Sequence, residues 1–216
     1  MPEPDRPDAI VFDLDGTLVD TVGARIDAWQ AAFAERGLEV TTERLEPMIG
    51  MDGRRLAAEV MGDDSAAEQV DRRAGALFDE RNRDPRPLPG ARQLLARLDE
   101  AGLTWAIATS SRAEQVAASV AALGLGQQPR IVDGSAVQRA KPAPDLLLLA
   151  ARRLGTRPEA TWYVGDSTWD MRAAVAAGMP AIGVTAGAVV GEVELRQAGA
   201  ARVIGTLDEL DLPEWA

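Results

Sequence analysis

Neither cysteine nor histidine occurs in this sequence, and the two absences exclude much of enzyme chemistry. Without cysteine there are no disulfides, no thiolate metal ligands and no thiol nucleophile. Without histidine there are no Ser–His triads, no imidazole acid–base catalysis and no ordinary zinc sites. Lysine is nearly missing as well: Lys141 is the only one, and every other basic side chain is arginine. No apolar run reaches the roughly 18 residues of a membrane span. The opening Met1-Pro2-Glu3-Pro4-Asp5 is acidic and proline-rich, where a signal peptide would be basic and then apolar. The expected location is therefore cytoplasmic. Positive charge is in deficit, with 23 basic against 34 acidic residues and a net charge of −11. A general attraction to nucleic acid or to an anionic membrane is not expected from such a chain. An anionic substrate would need a local cationic site or a metal ion. Chemistry here must run on carboxylates, hydroxyls, lysine or arginine.

What is present is ordinary globular material. The 216 residues, 46% hydrophobic and 26% charged, fit one or two domains, and a monomer of this size buries roughly 70% of its unfolded surface. Ala9-Ile10-Val11-Phe12 is a short, β-branched apolar run that stops at a polar turn, which predicts a buried strand. From about Asp20 to Asp84 the pattern is helical. Ile26, Trp29, Ala32 and Phe33 share one face of a helix ended by Gly37. Leu56, Val60 and Met61 predict a second helix, and Val70, Ala74, Leu77 and Phe78 a third. Pro85-Arg86-Pro87-Leu88-Pro89-Gly90 reads as a linker, because its prolines cannot continue a helix.

Beyond it the chain alternates. Helices over about 91–100, 112–123, 144–154 and 169–177 precede or follow strands at 104–108, 130–132, 161–164, 181–184 and 202–204. Strands alternating with helices of this length mean βαβ units and a parallel sheet. The predicted fold is α/β: a doubly wound, Rossmann-like core (1–19 and 86–216) with a small all-helical cap (20–85) inserted after the first strand. Ligands of such sheets bind beyond the carboxyl ends of the strands. That rule gathers Asp13, Asp15, Thr109, Ser110, Lys141 and Asp166 on one rim.

Asp13-Leu14-Asp15-Gly16-Thr17 directly after an apolar strand resembles the nucleophile motif of the haloacid dehalogenase-like superfamily. Thr109 at a strand end, Lys141-Pro142 before a helix, and Gly165-Asp166-Ser167-Thr168-Trp169-Asp170 after another strand follow in family order. The 20–85 insert is similar to the family's small helical cap, so the resemblance spans nearly the whole chain.

The resemblance implies that Asp13 attacks phosphorus to form an aspartyl-phosphate. Asp15 would protonate the leaving alcohol and then activate water. Asp13, Asp15 (through its backbone carbonyl) and Asp166 would form the metal site, and oxygen-only donors point to Mg²⁺. Phosphoryl transfer needs such neutralisation of the phosphate oxygens. Lys141 would neutralise phosphate and nucleophile together. Ser111-x-x-Glu114 reads as a capping box, so that a helix start near Thr109 and Ser110 would cradle phosphate. Ser167-x-x-Asp170 reads the same way, and Asp170 is placed both as a helix cap and as an orienter of Lys141 or of metal-bound water.

Residues that are missing narrow the branch. Dehalogenases of the superfamily lack the second aspartate, phosphonate-cleaving members need a cap lysine, and its sugar-phosphate mutases a cap histidine. A phosphomonoester phosphatase remains, similar to the phosphoglycolate phosphatase-like branch, acting on a small phosphorylated metabolite as a monomer or homodimer. Substrate choice is expected in the cap loop Ile49 to Arg55, where Arg54 or Arg55 would meet a second anionic group. Two alternatives of other classes stay open: a phosphoacceptor signalling module, and a catalytically idle partner-binding protein on the same fold.

Overall fold

The structure, a computed structural model, describes residues 6–125 and 129–210. The opening pentapeptide, on which the reading of the N-terminus rests, lies outside the described residues. The chain starts with β1 (Ala9–Phe12), β2 (Val19–Asp20) and four helices: α1 (Val22–Ala34), α2 (Thr42–Leu45), α3 (Gly53–Met61) and α4 (Ala67–Arg81). It returns through β3 (Arg86–Pro87) and then alternates α5 (Ala91–Glu100), β4 (Thr104–Ala108), α6 (Ala117–Leu123), β5 (Ile131–Val132), α7 (Asp145–Leu154), β6 (Thr161–Gly165) and α8 (Thr168–Ala177). It closes with β7 (Ala181–Val184), α9 (Glu192–Ala198) and β8 (Arg202–Ile204). Six strands form one sheet in the order β5-β4-β1-β6-β7-β8, parallel at every pairing. This is the α/β Rossmann-like fold that the alternation predicts.

The apolar run at β1 has no polar alternation because both of its faces are covered. Ile10 and Phe12 face a cluster with Leu94, Leu95 and Leu98 of α5. Val11 faces the opposite cluster with Leu146 and Leu147 of α7 and Met171 of α8. All four residues of the strand are wholly buried. Full burial of a side chain such as Phe12 stabilises the fold by about 1.5–3 kcal/mol. After β1 the chain builds outward through β4 and β5, then returns to β6 on the other side of β1. The carboxyl ends of β1, β4 and β6 therefore meet at a topological switch point.

The helices between β2 and β3 have a hydrophobic cluster of their own, with Ile26, Trp29, Phe33, Leu45, Leu56, Val70 and Phe78 buried. Within it the rings of Trp29 and Phe33 stack at 5.6 Å. α1 ends at Ala34, and the chain turns at Gly37, whose φ of +73° suits glycine.

Besides the short unpredicted helix α2, three features differ from expectation. The chain enters and leaves the helical unit through an antiparallel ribbon, Val19 opposite Pro87 and Asp20 opposite Arg86. Its first strand straddles the expected boundary at 19/20, and its second begins directly after the one at 85/86. A two-residue strand shows no alternation, and proline is tolerated at a sheet edge, so the sequence reads there as a linker. The helix expected from Arg112 starts later: a 3₁₀ turn, Ala113–Gln115, precedes α6. The Gln115 side chain accepts from the Arg112 amide at 2.9 Å, while the Ser111 hydroxyl turns to Asp15. The third is α9, which the sequence analysis did not find. It buries one side chain, Leu195, too few to leave a helical period.

Candidate active site

Asp13 follows the last residue of β1, and its amide donates to the Val164 carbonyl of β6 at 2.8 Å. That bond holds the loop in line with the strand and leaves its carboxylate at the switch point. Lys141, in the loop before α7, is 1% exposed and pairs with Asp13 through its ammonium. The same Nζ lies 2.7 Å from Asp170. Asp170 also accepts from the Tyr163 hydroxyl at 2.7 Å and from the Ser167 amide at 3.0 Å. The Ser167 hydroxyl in turn accepts from the Asp170 amide at 3.2 Å. One carboxylate thus caps α8 and holds Lys141, so the two readings of Asp170 coexist.

Asp166, at the end of β6, accepts from the Thr17 hydroxyl at 2.7 Å. Gly16 makes this approach possible. Its φ is +82°, and a Cβ there would overlap the Asp166 carboxylate. Asp13, Asp166 and Asp170 are buried, with one carboxylate oxygen from each within 4.8 Å of the others. Burial pushes the Asp13 carboxyl up to about 7, with Lys141 opposing and Asp170 adding to the rise. Burial, followed by the charges of Asp170 and Asp13, also holds Asp166 well above the carboxylate range. For Lys141, burial favours the neutral form, but Asp13 and Asp170 outweigh it and the ammonium stays charged.

Asp15 points elsewhere. Its oxygens accept from Thr21 at 2.7 Å, from Arg25 at 2.8 Å and from the Ser111 hydroxyl. Burial would raise its pKa, but the Arg25 charge and these hydrogen bonds outweigh burial and lower it. The expectation that Asp15 would meet a metal through its backbone carbonyl, not its side chain, is compatible with this arrangement. The clustered carboxylates are Asp13, Asp166 and Asp170, while the Asp15 carboxylate is committed to Arg25, Thr21 and Ser111. Only its backbone carbonyl is left for the metal role that the family resemblance gives it.

Thr109 closes β4 and is 1% exposed. Its oxygen accepts from the Ser111 amide at 3.1 Å, so its own proton can point to a ligand. The Ser110 hydroxyl donates to the Gly50 carbonyl of the helical unit at 3.2 Å. The expected capping by Ser111 does not occur, because its hydroxyl is bound to Asp15. Thr109 and Ser110 thus lie in a strand-end turn, with α6 starting only at Ala117.

A cavity of roughly 60 Å³ lies against Asp13, Asp15, Thr109, Ser110 and Asp166, closed by Trp29, Met51 and Leu56 from the helical unit. Neither Arg54 nor Arg55 lines it. Both sit in the first turn of α3, where Asp52 accepts from their amides at 3.0 and 3.1 Å. That turn faces solvent. Arg54 reaches the Gln138 carbonyl at 3.2 Å and borders an adjoining groove of roughly 550 Å³ with Arg112, Glu68 and Asp71. Arg55 lies over the Trp169 ring at 5.5 Å. The loop itself does approach the site. Gly50, with φ of +94°, packs so closely on Ser167 that a Cβ would overlap its hydroxyl.

The arginine that does line the cavity is Arg25 of α1, which the sequence analysis passed over. The signal was there: Arg25 falls three residues after Val22 and four before Trp29, a charged residue on an apolar helix face.

The donor set fits a hard divalent cation. It is all oxygen, and three buried carboxylates face a single ammonium. The raised proton affinity of Asp13 and Asp166 is what a bound cation would relieve.

Comparison with known proteins agrees with this geometry. The family model for haloacid dehalogenase-like hydrolases matches residues 10–184. A phosphoglycolate phosphatase of Xanthomonas campestris is 33% identical over 196 residues, covering 86% of each chain. An N-acetylmuramic acid 6-phosphate phosphatase of Pseudomonas aeruginosa is 31% identical, covering 80% of this chain and 79% of its own. The crystal structure of a hydrolase from Pseudomonas syringae superposes with a TM-score of 0.87 at 33% identity, over 94% of this chain and 95% of that one. With the motifs on one rim and the family match spanning most of its length, the chain belongs to the haloacid dehalogenase-like hydrolases.

Proposed function

We propose that the protein is a Mg²⁺-dependent phosphatase of small phosphorylated metabolites, working through an aspartyl-phosphate. It is a phosphoric monoester hydrolase in which the helical unit 20–85 serves as a cap over the core site. The observation that carries this reading is the buried arrangement of Asp13, Lys141, Asp166 and Asp170 at the carboxyl ends of β1 and β6. An Asp13 oxygen bonds to phosphorus as the ester P–O bond breaks, and Asp15, in the minor protonated fraction that its lowered pKa leaves, gives that proton to the departing alkoxide. In the second half, Asp15 takes a proton from water as that water attacks phosphorus, freeing Asp13 and inorganic phosphate. Lys141, the Thr109 hydroxyl and the Ser110 amide hold the phosphoryl oxygens. Asp13 and Asp166, with the Asp15 carbonyl, would hold Mg²⁺, which when bound supplies the positive charge that lets an anionic carboxylate approach an anionic phosphate.

The cavity beside Asp13 is about a tenth of the adjoining groove. It suits the phosphoryl group, while the groove takes the leaving group. The relatives point to phosphoglycolate or sugar-phosphate substrates. Hydrolysis of para-nitrophenyl phosphate with and without a chelator, in wild type and Asp13→Asn, tests the reading. Mg²⁺-dependent turnover that the variant loses supports it. A stable phosphoprotein without turnover would make the chain a phosphoacceptor module, and no reaction at all would leave an idle partner-binding protein.

A further inference from the structure

We infer that Arg25 is the positioning residue through which the cap controls the acid–base carboxylate Asp15. The inference rests on the proposed role of Asp15 and goes beyond it, because it gives the cap a part in proton transfer.

The geometry is a closed triangle. Arg25 Nη2 donates to the Asp15 carboxylate at 2.8 Å and to Ser111 Oγ at 2.7 Å. The Ser111 hydroxyl donates to the same Asp15 oxygen. The three corners come from three places: α1 of the cap, the loop after β1, and the loop after β4. Asp15's other oxygen is held by Thr21, at the entry to the cap. Among the described residues Arg25 is the only cation paired with Asp15.

Burying a guanidinium is costly unless its partners are well placed, and this one is only 14% exposed. Its central carbon lies 3.5 Å from the centroid of the Phe78 ring of α4, a cation–π contact that braces it within the cap. Both the helix carrying Arg25 and the ring beneath it therefore belong to the cap. Displacing the cap would carry Arg25 away and open the triangle. Closing the cap sets the direction in which Asp15 presents its oxygen to the leaving group. Because proton transfer requires that oxygen within hydrogen-bond reach of its target, Arg25 acts on the reaction through Asp15.

The test compares substrates that need the proton with one that does not. Glycerol phosphate releases a poor leaving group, whereas para-nitrophenyl phosphate releases a good one. For Arg25→Gln, kcat/KM on glycerol phosphate should fall at least about tenfold more than on para-nitrophenyl phosphate. Arg25→Lys, which keeps the charge, should recover part of the difference. In an Asp15→Asn background, Arg25→Gln should cost less than about twofold further, since residues that act as a unit are non-additive. An equal fall on both substrates, or a full additional loss in the Asp15→Asn background, would overturn the inference and make Arg25 a binding or structural residue. If Asp15→Asn itself does not separate the two substrates, the role of Asp15 fails and the Arg25 inference falls with it. If Asp15→Asn separates them and Arg25→Gln does not, only the Arg25 inference fails. Should Arg25→Gln fold poorly, Arg25→Lys alone decides: a loss of kcat/KM larger on glycerol phosphate than on para-nitrophenyl phosphate supports the inference, and wild-type values or an equal loss on both substrates overturn it.

Discussion

The Lys141 ammonium is shared between two carboxylates: it pairs with Asp13 and lies 2.7 Å from Asp170, and no more than 1% of the Lys141 or Asp170 side chain is exposed. The sole lysine of the chain is therefore a buried hub between two carboxylates. An ammonium suits this place because it is a compact charge with three donors, whereas a planar guanidinium would need a wider pocket.

Removing that hub should leave two buried carboxylates without a cation. Lys141→Met is expected to cost about 3–5 kcal/mol of stability at pH 8, the range for breaking a buried pair from one side. The loss should be smaller at pH 5, below the value of about 7 to which burial raises Asp13, because protonation then removes part of the uncompensated charge. Urea unfolding at the two pH values measures this, and an equal loss at both would contradict it.

Asp166 is expected to destabilise the metal-free fold. Burial and the neighbouring carboxylates hold its folded pKa well above the ordinary value, so the folded state binds the proton more tightly than the unfolded chain does. The associated stability is present below the unfolded value near 4 and is lost as pH rises through the folded value. Metal-free protein should thus melt higher at pH 5 than at pH 8, and Mg²⁺ should raise the pH 8 melting temperature. Asp166→Asn should raise the metal-free melting temperature at pH 8 and abolish the response to Mg²⁺. A variant that still responds to Mg²⁺ would remove Asp166 from the metal site.

Asp15→Asn keeps the backbone carbonyl and the side-chain shape, but removes proton transfer. Turnover of an alkyl phosphate should fall by about 10²–10⁴-fold, the usual contribution of a positioned acid–base group. Steady-state rates on the purified variant decide this, and a loss of only a few-fold would exclude the role.

The cap arginines of α3 should separate. Arg54 borders the groove in which the leaving group is placed, although it is half exposed and shared with Asp52 and Glu68. Arg54→Ala should raise KM by no more than about fivefold, in keeping with an exposed ion pair, and only for substrates that reach the groove. Arg55 touches Trp169 instead, so Arg55→Ala should leave KM unchanged for every substrate of a phosphorylated sugar and acid panel. A tenfold KM effect at Arg55 would return it to the substrate site.

The elements and the rim were legible from residue pattern alone. An unbroken apolar run at Ala9 to Phe12, helical periods through Val22 to Phe78, and strict alternation after Gly90 report which faces are buried, and burial is what periodicity encodes. From the alternation and the rule of strand ends, Asp13, Lys141 and Asp166 come together although Lys141 stands 128 residues from Asp13. Direction was not legible. Nothing local says that the Asp15 carboxylate turns to Arg25 and Ser111, that Ser111 gives up its helix for that bond, or that Asp170 joins the carboxylate cluster while still capping α8. Spacing marks Arg25 only as a charge on an apolar helix face, and does not say that it, and neither Arg54 nor Arg55, enters the cavity. Those choices are made where the helices between β2 and β3 meet the carboxyl ends of the sheet, between side chains whose partners are close in space and far apart in the chain. They depend on the packed molecule, because a short polar side chain takes whichever buried donor or cation the packing brings within about 3 Å.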